Sequence, residues 1–234
     1  MNAVYDLSTS PANFNFFEFL VCAISHGADH VILDDSKGYK KFKGEILKER
    51  MRSIIEPGCM LGRCTFSYAG EGHHADCAFD YHISSVLGVY KKLGEIKKLV
   101  SVLPPGSEEF TVTIRDYERY PQRNSSQDWR KFAKEVGAYV IEDYAVKKLN
   151  LYDRMAMYAG ARMNYFVGNG PAVLCFYSDY PHTTFMKNVD VDYHKRHGWH
   201  GTQLPWFSHF QKCIWEKEDT YTNIMEEFEC CIAS

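Results

Sequence analysis

The chain has 234 residues, 45% hydrophobic and 24% charged, enough apolar material for one large core or two small ones. Its net charge of -3 supplies no general pull towards nucleic acid or an anionic membrane, so an anionic ligand has to be met by a local cluster of arginine and lysine. No apolar run approaches the roughly 20 residues of a membrane span, and no basic stretch leading into an apolar one marks a secretory signal near the amino terminus. The eight cysteines contain no C-x-x-C pair. With no signal segment and a core that needs no staples, they are expected to be reduced thiols in the cytoplasm.

The first half reads as an irregular α/β segment. Asn2 to Leu7 is a short opening strand, and Ser8 to Pro11 is turn material. Phe14 to Ser25 carries its apolar residues at helical spacing, and His30 to Leu33 is a short strand closing on Asp34-Asp35. Strand, helix, strand is the pattern of a parallel crossover. Lys40 to Ile55 reads as a charged, exposed helix, Glu56 to Phe79 as a loop rich in Gly, Cys and His, and Tyr81 to Val102 as a further helix. Pro104-Pro105-Gly106 is the clearest break in the chain and sets a boundary between residues 1–104 and 105–190.

Beyond it the pattern becomes regular. Phe110 to Ile114 is a strand, and a helix follows from a cap at Asn124 or Ser125 to Val136, stopped by Gly137. Ala138 to Glu142 is a second strand, Tyr152 to Ala161 a helix, and Met163 to Val167 a third strand. Gly168-Asn169-Gly170-Pro171 makes a tight turn into a helix from Ala172 to Tyr177, and His182 to Met186 is a fourth strand. Strands alternating with helices predict a doubly wound α/β unit with a parallel sheet. The segment 191–234 is aromatic and polar and ends in a helix over Thr220 to Cys231.

In such sheets ligands bind outside the carboxyl ends of the strands. The loop after Ile114 lies there and carries Arg115, Arg119 and Arg123, interleaved with Tyr117 and Tyr120. Guanidinium forks match phosphate oxygens in pairs. The alternative is a solvated loop whose arginines pair with Asp116 and Glu118. Gly168, Asn169 and Gly170 leave a helix end open to a phosphate or carboxylate, or form an ordinary strand-to-helix turn. Asp143 and Tyr144, after the second strand, suit a ribose hydroxyl and a base, or a simple cap. His73 and His74 are adjacent, lack a second ligand pair at zinc-like spacing, and are not read as a metal site. His194, His197, His200 and His209 lie among tryptophans, either lining an acceptor pocket or packing. No nucleophile elbow, Walker loop or G-x-G-x-x-G occurs, which argues against hydrolase, kinase and dehydrogenase chemistry.

The run Thr-Val-Thr-Ile-Arg, then Asp-Trp-Arg-Lys-Phe, then Leu-Tyr-Asp-Arg-Met-Ala-Met-Tyr-Ala-Gly-Ala, then Gly-Asn-Gly-Pro, within Thr111 to Phe185, resembles the donor-binding lobe of GT-B type, heptosyltransferase-like glycosyltransferases. Asn169 stands where that family usually has Ser, and no His follows the proline in the next helix. The resemblance implies two small Rossmann-like lobes of parallel sheet flanked by helices: an acceptor side over 1–104, a nucleotide-sugar donor lobe over 105–190, and a last helix crossing back to the first lobe. It also implies metal-independent transfer of a sugar from a nucleotide sugar, as substrate and with no cofactor, to a glycan or small-molecule acceptor. Asp34, Asp35 and His73 are then the candidates for the general base. A sugar-nucleotide epimerase, a pyruvyl transferase and a non-catalytic nucleotide-sugar-binding protein are the alternatives.

Overall fold

The computed structural model describes residues 1–69, 77–78, 83–118, 121–142 and 149–233. It is α/β throughout and divides into two units, Met1–Val102 and Leu103–Ser234. Each is built on a parallel sheet.

The first unit runs β1 (Asn2–Asp6), α1 (Phe16–Ser25), β2 (His30–Asp34), α2 (Gly44–Arg50), a π-helical turn (Met51–Ile55), α3 (Glu56–Leu61), β3 (Thr65–Tyr68), β4 (Cys77–Ala78) and α4 (Ile83–Leu93). Its strand order is β3-β2-β1-β4. α1 is apolar on every side apart from Glu18, and Phe16 to Ile24 are all buried. Tyr5 of β1 meets the rings of Phe16 and Phe19, each at 4.9 Å.

The stretch expected to be a loop from Glu56 to Phe79 holds a helix and two strands instead. Gly58 and Gly62 signal close packing there, not a turn: a Cβ on Gly58 would stand 3.0 Å from the Phe17 ring, and one on Gly62 2.9 Å from a Leu20 methyl. The exposed helix expected over Lys40 to Ile55 is exposed only in α2, where Leu47 alone is buried. Met51, Ile54 and Ile55 turn inward.

The second unit runs β5 (Phe110–Ile114), a 3-10 turn (Pro121–Arg123), α5 (Asp128–Val136), β6 (Tyr139–Glu142), α6 (Leu151–Gly160), β7 (Met163–Val167), α7 (Ala172–Phe176), β8 (His182–Phe185), α8 (Val191–Arg196), β9 (Gln211–Ile214) and α9 (Tyr221–Ile232). The strand order is β6-β5-β7-β8-β9, so the direction of sheet growth reverses between β5 and β7. Gly137 ends α5 in the left-handed conformation at φ +69°, which favours glycine. Asn150 caps α6 through Asp153 N–H, and Thr220 caps α9 through Asn223 N–H.

One face of this sheet is apolar. Val112, Ile114, Tyr165 and Val167 pack there on Trp129 and Phe132 of α5. Phe228 of α9 meets the rings of Phe110 at 5.2 Å and Phe132 at 5.6 Å. The closing helix expected to cross to the first lobe thus spends its apolar stripe on the second unit's own sheet, and the segment 191–234 supplies that sheet's fifth strand. The other face, under α6 and α7, is polar although fully buried. Thr111 donates to Asn164 Oδ1 at 2.6 Å, and Asn164 Nδ2 donates to the carbonyls of Tyr158 and Pro181. Gln211 Nε2 reaches the carbonyls of Cys175, Ser178 and Tyr180. Each of these buried polar groups has its partner, as burial demands.

Among the described residues no helix is long and apolar enough to cross a membrane, and Cys22, Cys59, Cys64, Cys175, Cys213, Cys230 and Cys231 are free thiols. Burial pushes the Cys64 thiol up to about 11 and those of Cys59, Cys175 and Cys213 higher still, so their thiolates are scarce at neutral pH. Native labelling at pH 7.5 is therefore expected to modify exposed Cys230 first. Denaturation without reductant should expose all eight thiols of the chain, and a denatured count near zero would contradict the free-thiol assignment.

Candidate functional site

The reversal between β5 and β7 makes a topological switch point at the carboxyl edge of the second sheet, where parallel α/β units form the crevice that receives ligands. Thr113 pairs with Phe166 in the register of these strands, which brings Arg115 and Gly168 out side by side at that edge. The Arg115 loop is pinned: Arg115 N–H donates to Ser125 Oγ and Ser125 N–H returns to Arg115 O, both at 2.9 Å. Asn124 holds Tyr117 by its N–H and its carbonyl, each at 3.0 Å. The Arg115 guanidinium lies over the Tyr117 ring, 4.8 Å from its centre, and makes no ion pair among the described residues.

Arg123 reaches across from the 3-10 turn and donates through Nη2 to Gly168 O at 3.2 Å. That bond ties the arginine loop to the turn after β7. Neither Gly168 nor Gly170 has left-handed backbone among the described residues, and the helix end behind them is closed by the chain itself. Asn169 Oδ1 accepts Ala172 N–H at 3.0 Å, and α7 is only five residues long. Anion attraction at this edge therefore falls to side chains. Two of them carry buried donors with no acceptor among the described residues, Arg115 Nε and Asn169 Nδ2, and Asn169 is only 8% exposed.

Next to this crevice, past β8 and β9, lies a cleft of about 430 Å³ whose walls include Ser126, Asp128, Lys187, Trp215 and Asp219. Asp219 is almost fully buried. It pairs with Lys187 at 2.8 Å and accepts from Ser126 N–H at 3.1 Å and Trp129 Nε1 at 2.9 Å. In return Asp128 caps α9, accepting Tyr221 N–H at 2.9 Å. Lys187 and Asp219 did not stand out in the sequence, because they lie 32 positions apart and meet only through the sheet.

Of the four histidines among the tryptophans, His194 and His200 pack on tryptophan, while His197 meets Tyr193 and His209 meets Phe210. His194 meets Trp199 at 5.1 Å and Trp215 at 5.3 Å, and His200 meets Trp215 at 4.7 Å. Burial holds the His194 imidazole below its ordinary pKa, with Arg123, His197 and His200 pushing the same way and Asp190 opposing.

In the first unit Asp34 and Asp35 stand at the carboxyl end of β2, where both are engaged in turns. Asp34 Oδ1 accepts Ser36 N–H at 2.9 Å, and Asp35 Oδ2 accepts the Tyr39 hydroxyl at 2.8 Å. Beside Asp34 in register lies Asp6, which the sequence did not single out. The Ser8 hydroxyl, aided by Ser8 N–H and Lys37, holds its carboxyl below the usual range against the opposing effect of burial. His73, Arg119, Asp143 and Tyr144 lie outside the described residues. Among the described residues no three His, Cys, Asp or Glu side chains gather as a metal site.

Comparison with known proteins brings no match, whether to a protein-family model, a curated protein or a solved structure.

Proposed function

We propose that the second unit binds the diphosphate of a nucleotide sugar and that the chain is a glycosyltransferase, passing the sugar to an acceptor hydroxyl without a metal. The observation that carries this reading is the pair of buried, acceptor-less donors, Arg115 Nε and Asn169 Nδ2, on neighbouring loops at the switch point of a parallel sheet. Buried donors are ordinarily satisfied, and a phosphate oxygen is the acceptor that suits a guanidinium and an amide together. Charge builds on the leaving diphosphate as the glycosidic bond breaks, so donors fixed at that spot favour the transition state over the bound donor.

The 430 Å³ cleft adds a place for the nucleoside, with the Trp215 ring for a base and the carboxylate of Asp128 for ribose hydroxyls. Asp34, Asp35 and His73 remain the candidates for the base that takes the acceptor proton. One observation favours a second reading, a nucleotide-sugar-binding protein without turnover: both candidate carboxylates already hold turn hydrogen bonds.

Calorimetric titration with a panel of nucleoside diphosphates and nucleotide sugars tests the shared part of both readings. Arg115→Ala should weaken diphosphate binding by roughly 1.5–3 kcal/mol, about tenfold to a hundredfold, because a charge-assisted contact is lost. Unchanged affinity in a folded variant would remove Arg115 from the site. Slow release of nucleoside diphosphate from the sugar donor then separates the transferase from the binder.

A further inference from the structure

Arg154 is 1% exposed, in the middle of the second unit, and has no carboxylate partner among the described residues. Its Nη1 donates to the Tyr158 hydroxyl at 3.2 Å, and its Nη2 has no acceptor at all among the described residues. A buried guanidinium without a counter-charge is costly and persists where something supplies the missing negative charge.

Its position says where that charge comes from. Side chains alternate along a strand, so Thr111, Thr113 and Arg115 of β5 and its extension share one face. The Thr113 hydroxyl bonds the Tyr158 hydroxyl at 2.9 Å, which fixes α6 on that face. α6 runs against the strands, since its end at Gly160 leads within three residues into β7 at Met163. Arg154 lies one helical turn before Tyr158, about 6 Å nearer the carboxyl edge. Arg115 lies two strand positions beyond Thr113, about 7 Å in the same direction. Arg154 Nη1 stays on the Tyr158 hydroxyl, so the Arg154 guanidinium lies deeper than Arg115 on the same face of the sheet, one half-buried and one fully buried, each with an N–H left over.

We propose that Arg154 is a second anion ligand, reaching the crevice from beneath, so that Arg115 and Arg154 together grip two successive phosphates and select a diphosphate over a single phosphate. This rests on the anion-binding reading of the crevice and adds to it the residue and the charge count. Two like charges on one face repel each other unless an anion bridges them. A doubly phosphorylated group does so where a monophosphate satisfies one arm only.

The test is calorimetric titration of the full chain with inorganic pyrophosphate and with inorganic phosphate, on the parent, Arg154→Met, Arg154→Lys and Arg115→Ala, with a ligand-free melting curve for each. The parent is expected to prefer pyrophosphate at least tenfold. Arg154→Met should lose most of that preference while the ligand-free protein melts no lower, because an apolar chain of similar length relieves the unpaired charge. Arg154→Lys keeps the charge, loses the fork, and should fall between. A folded Arg154→Met protein with the parent's preference overturns the inference, and does so while leaving the crevice reading intact if Arg115→Ala still loses affinity. A lower melting point in Arg154→Met with an unchanged preference likewise assigns Arg154 to structure alone. Should Arg154→Met not fold, the preference measured on Arg154→Lys decides. A parent protein that binds neither anion overturns this inference and the proposed function together.

Discussion

Gly160→Ala is expected to destabilise the second unit by about 3 kcal/mol, as forced overpacking against backbone does. A Cβ built on Gly160 falls 2.0 Å from Gly106 O and 2.6 Å from Gly106 N. Neither atom belongs to a side chain that can swing away. Gly106 N–H donates to Ala156 O at 2.8 Å, so the segment after Pro104-Pro105 lies directly on the last turns of α6. Making room for a methyl means peeling that segment off and breaking the bond. Gly88→Ala is the control: its Cβ meets open space within α4, and the change should stabilise by roughly 0.5–1 kcal/mol through backbone entropy. Denaturant midpoints of the two variants, compared with the parent, check both signs, and equal midpoints would show that the close approach at Gly160 relaxes at little cost.

Asp219→Ala should be more severe, roughly 3–5 kcal/mol, because it breaks a buried pair and leaves its partners behind. Lys187 loses its counter-ion, the fully buried Trp129 loses the acceptor of its indole N–H, and Ser126 N–H just ahead of α5 is orphaned. Asp219→Asn keeps one side-chain oxygen and removes the charge, so it should cost only about 1–3 kcal/mol. Ordering of the three proteins by urea midpoint as parent, Asn, Ala checks the assignment. A midpoint for Asp219→Ala within error of the parent would mean that the Lys187 pair and the indole bond contribute nothing net.

The third of the chain from Phe110 to Phe185 was largely legible because its elements are short, apolar and separated by strong punctuation. Gly137 and the Gly168–Pro171 turn mark boundaries that the structure keeps within a residue or two. The earlier stretch misled because its glycines serve a different purpose. Gly58 and Gly62 let α3 approach Phe17 and Leu20, and a packing glycine looks the same as a turn glycine in one dimension. β9 was missed for want of an apolar period. Gln211-Lys212-Cys213-Ile214 alternates in burial, yet one of its two fully buried members is a glutamine whose three carbonyl partners come from α7 and the α7–β8 connection.

The candidate site was half legible. Arg115 and Asn169 were marked by their place at strand ends, where geometry can be argued from topology. Arg154 was not, since an arginine within Leu151-Tyr152-Asp153-Arg154-Met155 looks like the solvent side of an amphipathic helix. Its burial follows from a sheet face that is polar beneath α6, which no hydropathy pattern announces. The Lys187–Asp219 pair needed the sheet to bring two loops together.

That polar face also settles a question of alignment. Hydrophobic patterning repeats every two residues along a strand, so it rejects a slip of one position and is indifferent to a slip of two. β5 and β7, enclosed on both faces, would be exposed to that ambiguity if both faces were oily. The Thr111–Asn164 and Thr113–Tyr158 bonds remove it together, because a slip of two in either direction breaks one or both of these pairings. Shifted by two, Asn164 Oδ1 or the Tyr158 hydroxyl would lose its threonine partner inside the core, at a cost of roughly 1–3 kcal/mol for each group left unsatisfied. A few buried polar atoms thereby encode the position of Arg115 against Gly168, and the crevice inherits its geometry from bonds that never touch a ligand.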